Sequence, residues 1–213
     1  CSVFFLSSNR NGKANVLGWA VNQDGRSGGL TVPNQNAQER LYELAIAKTK
    51  LEYSNIERFE AHGTGTSLGD PIEVHSIAKV FGQRKNGLIL SSGKTIFGHA
   101  EAAAGLLGLA KIISGQGTAS KHLHFSELNP HIGVNAMDDL RAVIPLENVS
   151  KCGIACLNSF GFSGTNAHVI MEQVEKAVIL EEKPGESFVV RVSGKSEAAV
   201  RRLIVAAARG MVV

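Results

Sequence analysis

No run of the 213-residue chain stays apolar for the roughly 20 positions a membrane-spanning helix requires. No secretory leader is legible either: Cys1-Ser2-Val3-Phe4-Phe5-Leu6 is apolar but short, and it lacks a basic stretch. Charge of one sign is also missing. The net charge is +3, and no Lys/Arg run forms a phosphate-binding patch, which argues against a nucleic acid or a membrane surface as partner. Cysteine is scarce and odd in number. Cys1, Cys152 and Cys156 fit a reducing cytosol better than a disulfide framework. The last two are four apart, unlike a CxxC pair, and read as small buried hydrophobes. His122 and His124 alternate, as two ligands on one face of a strand would. No third ligand of matching spacing joins them, so they read as a solvated or packed pair and no metal site is expected. Internal repeats and low-complexity tracts are absent too.

What remains is an ordinary soluble composition, 44% hydrophobic and 19% charged, long enough for one large domain or one domain with an appendage. Residues 14–21, ANVLGWAV, read as a strand and residues 22–34 as a polar, glycine-rich loop. Leu41, Leu44 and Ala45 recur at helical spacing and predict a helix over 35–50. A strand over 56–61 leads into HGTGTSLG. A second helix then opens at Asp70, with Asp70 as N-cap, Pro71 in the first helical position and Glu73 closing a capping box. Residues 88–91 read as a buried strand, and the helix after His99 runs to about Ser114. Residues 121–137 read as irregular, and strands over 153–158 and 167–172 flank the turn FGFSGTN. Beyond Glu175 the chain is charged and turn-rich over 175–187, as a linker would be. FVVRVS then reads as a strand and SEAAVRRLIVAAARGMV as a helix, with Arg201, Arg202 and Arg209 on a solvated face. The alternation predicts a layered α/β fold with a mixed sheet buried between helices.

Three loops carry chemistry. In E60-A-H-G-T-G-T-S-L-G-D70, His62 follows a strand directly, and Thr64 and Thr66 offer hydroxyls. KTIFGHAEAAAG (94–105) places Lys94 five residues before His99, at the start of a helix whose small residues allow close approach to what lies beneath. The glycine-rich NSFGFSGTN (158–166) offers backbone amides to a developing negative charge. Two imidazoles and a lysine converging on such a pocket would suit a reaction that forms an oxyanion or carbanion. Spacing alone leaves a structural reading open beside the catalytic one. HGTGTSLGD also has the GxGxxxG spacing of a dinucleotide loop, although LILSSG offers no acidic residue for a ribose. His75 and His131 read as surface or structural, His168 as a satisfied core histidine, and Asp70 as a cap.

In this order, EAHGTGTSLGDPIE, the K-x4-H of KTIFGHAEAAAG, and NSFGFSGTNAHVIME resemble the C-terminal half of a β-ketoacyl synthase, as found in modular polyketide synthases and animal-type fatty acid synthases. AVNQDGRSGGLTVPN and LHFSELNPHI resemble further stretches of that family. The resemblance covers roughly residues 16–174, assigns 1–174 to the ketosynthase with 1–13 unplaced, and makes 175–213 similar to the start of a ketosynthase–acyltransferase linker. It implies a thiolase-like layered α/β fold and decarboxylative Claisen condensation of an acyl thioester with malonyl- or methylmalonyl-acyl carrier protein. It further implies that His62 and His99 assist decarboxylation and stabilise the enolate, and that Lys94 supports the second histidine. Thr64 and Thr66 would bind the phosphopantetheine arm of the carrier protein, and Phe162 would be the gating residue whose N–H helps form the oxyanion hole. No directly bound cofactor is implied. The implied partners are the acyl carrier protein, acyl and malonyl thioesters, the N-terminal ketosynthase half, an adjacent acyltransferase domain and, in a homodimer, a second copy, all in the cytoplasm.

Two departures matter. The family's nucleophilic cysteine lies in a small-residue segment well upstream of the first histidine; Cys1, followed by SVFFL, does not match it. The nucleophile is therefore expected to be absent, the chain inactive alone, and apolar surface exposed where the other half would sit. Thr95, Ile96 and Phe97 also replace the more usual Ser, Asn and Ile. The alternative expectation is a non-catalytic docking or dimer-supporting element, or a pseudo-enzyme remnant.

Overall fold

Among the described residues six strands form one mixed sheet, the outer antiparallel pair alternating more and less buried positions and the central strands buried almost throughout. The computed structural model describes residues 4, 6–8, 12–29, 32–82, 84–150, 153–174 and 196–208. The elements are β1 (Ala14–Gln23), α1 (Gln35–Ile46), β2 (Arg58–Glu60), α2 (Gly69–Phe81), β3 (Leu88–Ser91), α3 (Lys94–Phe97), α4 (Ala104–Ser114), α5 (Val134–Leu140), β4 (Ala142–Val143), β5 (Ile154–Phe160) and β6 (Thr165–Gln173). The strand order is β1-β6-β5-β2-β3-β4. The β1–β6 and β6–β5 pairs are antiparallel, and the pairs from β5 to β4 are parallel.

One face of the sheet holds the main core. Leu41, Tyr42 and Ala45 of α1, Ile77 and Phe81 of α2, and Ala136 and Leu140 of α5 pack there with Phe59, Cys156 and Ile170 of the sheet. Tyr42, Phe59 and Phe81 meet edge-on or tilted at ring distances of 5.0 to 5.9 Å, the arrangement aromatic quadrupoles favour. On the other face α4 sets Ile112 over Ala155, Leu157 and Met171. Its close approach depends on glycine: a Cβ on Gly108 would lie 2.5 Å from Leu157 Cδ1. At the sheet edge, Gly18 and Ala20 of β1 are buried, while Trp19 and Val21 alternate with them and are more than half exposed. Leu106 of α4 is exposed as well.

Four expectations need correction. The first helix ends at Ile46, not near residue 50, because the Thr49 hydroxyl takes the Ile46 carbonyl and then accepts the Leu51 N–H. Leu44 is exposed on that helix, and Tyr42 occupies the buried face in its place. The stretch over 121–137 is not irregular throughout, since α5 begins inside it at Val134. Finally, the alanines after His99 are not pressed into a packed interior: Glu101–Ala103 is a 3-10 turn with Ala102 and Ala103 exposed. The small-residue contact falls one and two turns later, at Gly105 and Gly108.

Residues 179–213 form a separate unit. Within it, α6 (Glu197–Ala208) carries an exposed Arg201–Glu197 pair at 2.7 Å, and Arg202 is exposed. The expected linker over 175–187, the FVVRVS strand, Arg209, Cys1 and Cys152 lie outside the described residues. Among the described residues no helix is long and apolar enough to cross a membrane.

Candidate active site

Buried backbone amides need acceptors, and two buried glutamates supply them to the site. The loop after β2 turns its amides toward α2. His62 N–H donates to Glu73 Oε1 at 2.8 Å and Gly63 N–H to Glu73 Oε2 at 2.9 Å. Asp70 Oδ1 accepts the Gly65 N–H at 3.0 Å, and Thr66 Oγ1 accepts the Gly69 N–H at 3.0 Å. Asp70 is thus not the N-cap, and Glu73 closes no capping box: α2 starts at Gly69 after Leu68, which caps nothing with its side chain. Glu73 is turned onto the loop because the part-buried His62 and Gly63 amides would otherwise lack partners; the Gly65 amide that Asp70 takes is exposed.

Glu60, at the end of β2, does the same for the second loop. Its Oε1 accepts the Gly93 N–H, and its Oε2 accepts Ser91 Oγ–H at 2.9 Å and pairs with Lys111 Nζ at 2.7 Å and Arg58 at 3.4 Å. Gly93 opens the single turn α3, which carries Lys94. Gly98 then adopts φ +70° and ψ −170°, a conformation only glycine takes without strain, and turns the chain to His99.

These two loops bring the predicted pair together. The His62 and His99 rings lie 5.6 Å apart, nearly perpendicular at 84°. Lys94 Nζ donates to the His62 carbonyl oxygen, so the lysine braces the first histidine. His99 Nδ1 accepts the Glu101 N–H at 3.0 Å, and His62 Nδ1 accepts the Phe160 N–H at 3.4 Å. A neutral imidazole that accepts at Nδ1 carries its proton on Nε2, so each ring keeps one N–H to offer. Burial first, then the Lys94 charge, push the His62 pKa down to about 3, which keeps that ring neutral at physiological pH. His99 is exposed.

Lys94 is itself pushed below its ordinary value by burial, against the pull of Glu73, Glu60 and Asp70. Its charge is the second cause of the low His62 value. Lys94→Met is therefore expected to raise the His62 pKa while leaving it below an ordinary histidine, since burial persists. Imidazole chemical shifts followed against pH check this, and an unmoved His62 midpoint would rule out charge tuning by Lys94.

The other predicted residues are placed less uniformly. Thr64 and Thr66 share the His62 loop, their hydroxyl oxygens 3.3 Å apart. Phe162 stands on the β5–β6 turn with 78% of its surface exposed, while Phe160, two residues earlier, packs its ring 5.6 Å from that of His62. His122 and His124 lie in coil, not on a strand, so the alternate-ligand geometry does not form; His122 packs on Phe125 and His124 is exposed. Both line an open cleft of about 740 Å³ that also borders Thr64, Asp70, Glu73 and Lys94. His75 Nδ1–H bonds to the Pro71 carbonyl, and His131 is exposed. Sequence reasoning missed the parts played by Glu60, Lys111 and Asn158. Two opposite charges, Arg58 and Glu60, in a three-residue strand were the available signal.

A mixed sheet with helices on both faces, two imidazoles on the loops that follow adjacent parallel strands and glycine-rich turns around them define a layered α/β fold with a site beyond the strand ends. Residues 13–125 match the model for the C-terminal domain of β-ketoacyl synthases, and residues 129–210 match the ketoacyl-synthetase C-terminal extension. The chain is 47% identical over 165 residues, 74% of its length, to a phenolphthiocerol/phthiocerol polyketide synthase of Mycobacterium tuberculosis. It is 43% identical over 192 residues, 87% of its length, to the erythronolide synthase EryA2 of Saccharopolyspora erythraea. It spans 8% and 5% of those two proteins. Among solved structures, the oxazolomycin ketosynthase domain OzmH KS7 of Streptomyces albus JA3453 superposes with a TM-score of 0.70 at 34% identity, over 76% of this chain and 30% of that one. The module 6 ketosynthase of the bacillaene synthase from Bacillus subtilis 168 gives a TM-score of 0.68 at 31% identity, over 75% and 30%. The chain belongs to the β-ketoacyl synthase family, as the C-terminal part of a ketosynthase domain with the thiolase-like fold.

Proposed function

We propose that this chain supplies the decarboxylation half of a ketosynthase site in a polyketide synthase, acting within a longer protein. The observation that carries the reading is the His62–His99 pair, 5.6 Å apart, each ring with Nδ1 engaged and Nε2–H free to donate. When a malonyl thioester loses CO2, the electron pair of the breaking C–C bond passes to Cα and the thioester carbonyl oxygen. Two imidazole N–H groups stabilise that enolate oxygen without giving up a proton. The carbanion then attacks an acyl thioester; the oxyanion formed rests on backbone amides, Phe162 N–H among them, and its collapse expels the thiolate. Thr64 and Thr66 bind the phosphopantetheine arm of the acyl carrier protein, and Lys94 holds the His62 loop.

The thiolate comes from outside this chain. Cys156 is wholly buried, and burial pushes its thiol well above the ordinary range, so it offers no nucleophile. The N-terminal ketosynthase half supplies both the cysteine and the cover for Trp19, Val21 and Leu106. Residues 1–174, with 1–13 unplaced, are the ketosynthase portion and 175–213 the start of the linker to an acyltransferase; the assembly is a cytoplasmic homodimer. The test is to expose the longer protein to an acyl thioester and read the intact mass. A single acyl adduct on a cysteine is expected. Absence of any adduct, with carrier protein still bound, would replace this reading with a non-catalytic docking element.

A further inference from the structure

The hydrogen bonds that begin at the His62 backbone do not end at Glu73. Glu73 Oε1 also accepts an N–H from Asn158 of β5 at 2.7 Å, and Asn158 Nδ2 lies 3.1 Å from the Tyr42 hydroxyl oxygen. The other end of that amide, Oδ1, is 2.6 Å from Nδ1 of His168 on β6. An amide oxygen only accepts, so the His168 proton sits on Nδ1. Glu73, Asn158 and His168 are 3%, 2% and 0% exposed, so water cannot stand in for a lost partner. Turned by 180°, the Asn158 amide would aim its NH2 at the His168 N–H and its oxygen at the Glu73 carboxylate. The His168 proton therefore decides which way Asn158 faces, and Asn158 decides whether Glu73 has two N–H donors or three.

We propose that Asn158 and His168 are positioning residues: the His168 Nδ1–H locks the Asn158 amide, and the locked amide holds Glu73 as a carboxylate on the His62 and Gly63 amides, which fixes the His62 imidazole. The charged and titratable groups facing Glu73 are His62 from the loop after β2, the Asn158–His168 pair from within β5 and β6, Tyr42 from α1, Asp70 from its own helix and Lys94 from α3. Burial, and to a lesser degree the Asp70 charge, raise the Glu73 carboxyl; the Gly63, Asn158 and His62 donors lower it.

Two substitutions separate this role from space filling. His168→Asn places an amide N–H where Nδ1–H sits. His168→Gln places it toward the Nε2 position and leaves Asn158 Oδ1 without its donor. In the 213-residue chain, the backbone amide shifts of His62 and Gly63 followed against pH report the Glu73 titration. The His168→Asn midpoint is expected to stay with the wild type, and the His168→Gln midpoint to move to higher pH. Equal midpoints in the two variants would overturn the proposal. Should either lose its dispersed amide spectrum, Asn158→Leu decides: a midpoint moved to higher pH supports the coupling and an unmoved one ends it.

The consequence for turnover rests on the reading of His62 as an imidazole of the reacting site; the coupling does not. In the longer protein, His168→Gln is expected to lower kcat by roughly tenfold at unchanged KM, with His168→Asn near the wild type. A moved amide midpoint with unchanged kcat would sink the role given to His62 and leave the coupling standing. An unmoved midpoint sinks the coupling whatever kcat does.

Discussion

Glu60→Gln is expected to destabilise the chain by about 3–5 kcal/mol, the range for breaking a buried ion pair from one side. Glu60 is 1% exposed and is the carboxylate shared by Arg58, itself wholly buried, and Lys111, almost so. Burial already pushes the Lys111 ammonium below its ordinary value, and Glu60 is what holds it up. With the carboxylate gone, two cations face each other in the core, and the amide cannot accept from Lys111, Ser91 and the Gly93 N–H at once. A domain of this size has about 5–15 kcal/mol of stability in all, so the loss takes about a fifth of it or more. Lys111→Met is the contrasting case: it leaves the Arg58–Glu60 pair and puts apolar volume in a buried place, for a change within about 1.5 kcal/mol. Urea denaturation of the three chains measures both. A Glu60→Gln midpoint as close to the wild type as that of Lys111→Met would show that the cluster is solvated and that its charges need no partner.

The same cluster explains why part of this molecule was legible in its sequence and part was not. The strand over 88–91 and the hairpin around FGFSGTN follow from local patterns, apolar runs bounded by glycine, and local patterns are what a sequence displays. Glu73 misled for the same reason. An acidic residue three positions after an Asp is the signature of a capping box, and nothing within α2 distinguishes it from a side chain that accepts from amides ten and eleven residues away. The loop decides the matter: its buried N–H groups compete for the carboxylate more strongly than the exposed start of α2 does. The small residues after His99 misled in the opposite direction. A string of alanines suggested burial, whereas the close approach is made at Gly105 and Gly108, where a Cβ would collide with Ser159 and Leu157.

The site inherits its geometry from this division of labour. His62 and Lys94 follow neighbouring parallel strands, paired in register from Arg58 opposite Ile89 to Glu60 opposite Ser91. Each loop is then tied down by one buried glutamate, Glu73 for the first and Glu60 for the second. Their effect on chemistry is to keep two short loops from moving apart, a matter of positioning on the scale of an ångström.

In the longer protein, His62→Ala and His99→Ala are each expected to slow malonyl decarboxylation by about a hundred- to a thousandfold, the loss typical of one donor to a developing oxyanion. The tautomers argued from Nδ1 sharpen this. Glutamine carries an N–H near the place of an imidazole Nε2–H, so His99→Gln should recover part of the rate and His99→Ala none, if donation to the enolate is what the ring contributes. Were either ring a general base instead, glutamine would be as poor as alanine. The two losses should not add, because both donors serve one oxygen and the second is worth less once the first is gone. The pH dependence separates His62 further. With its pKa near 3, it is neutral from about pH 5 upward, and no step in the rate over pH 5–8 should vanish in His62→Gln. Release of CO2 from labelled malonyl-acyl carrier protein, measured for the four single variants over that range, settles the role. Alanine and glutamine variants with equal rates would refute hydrogen-bond donation as the function of the pair.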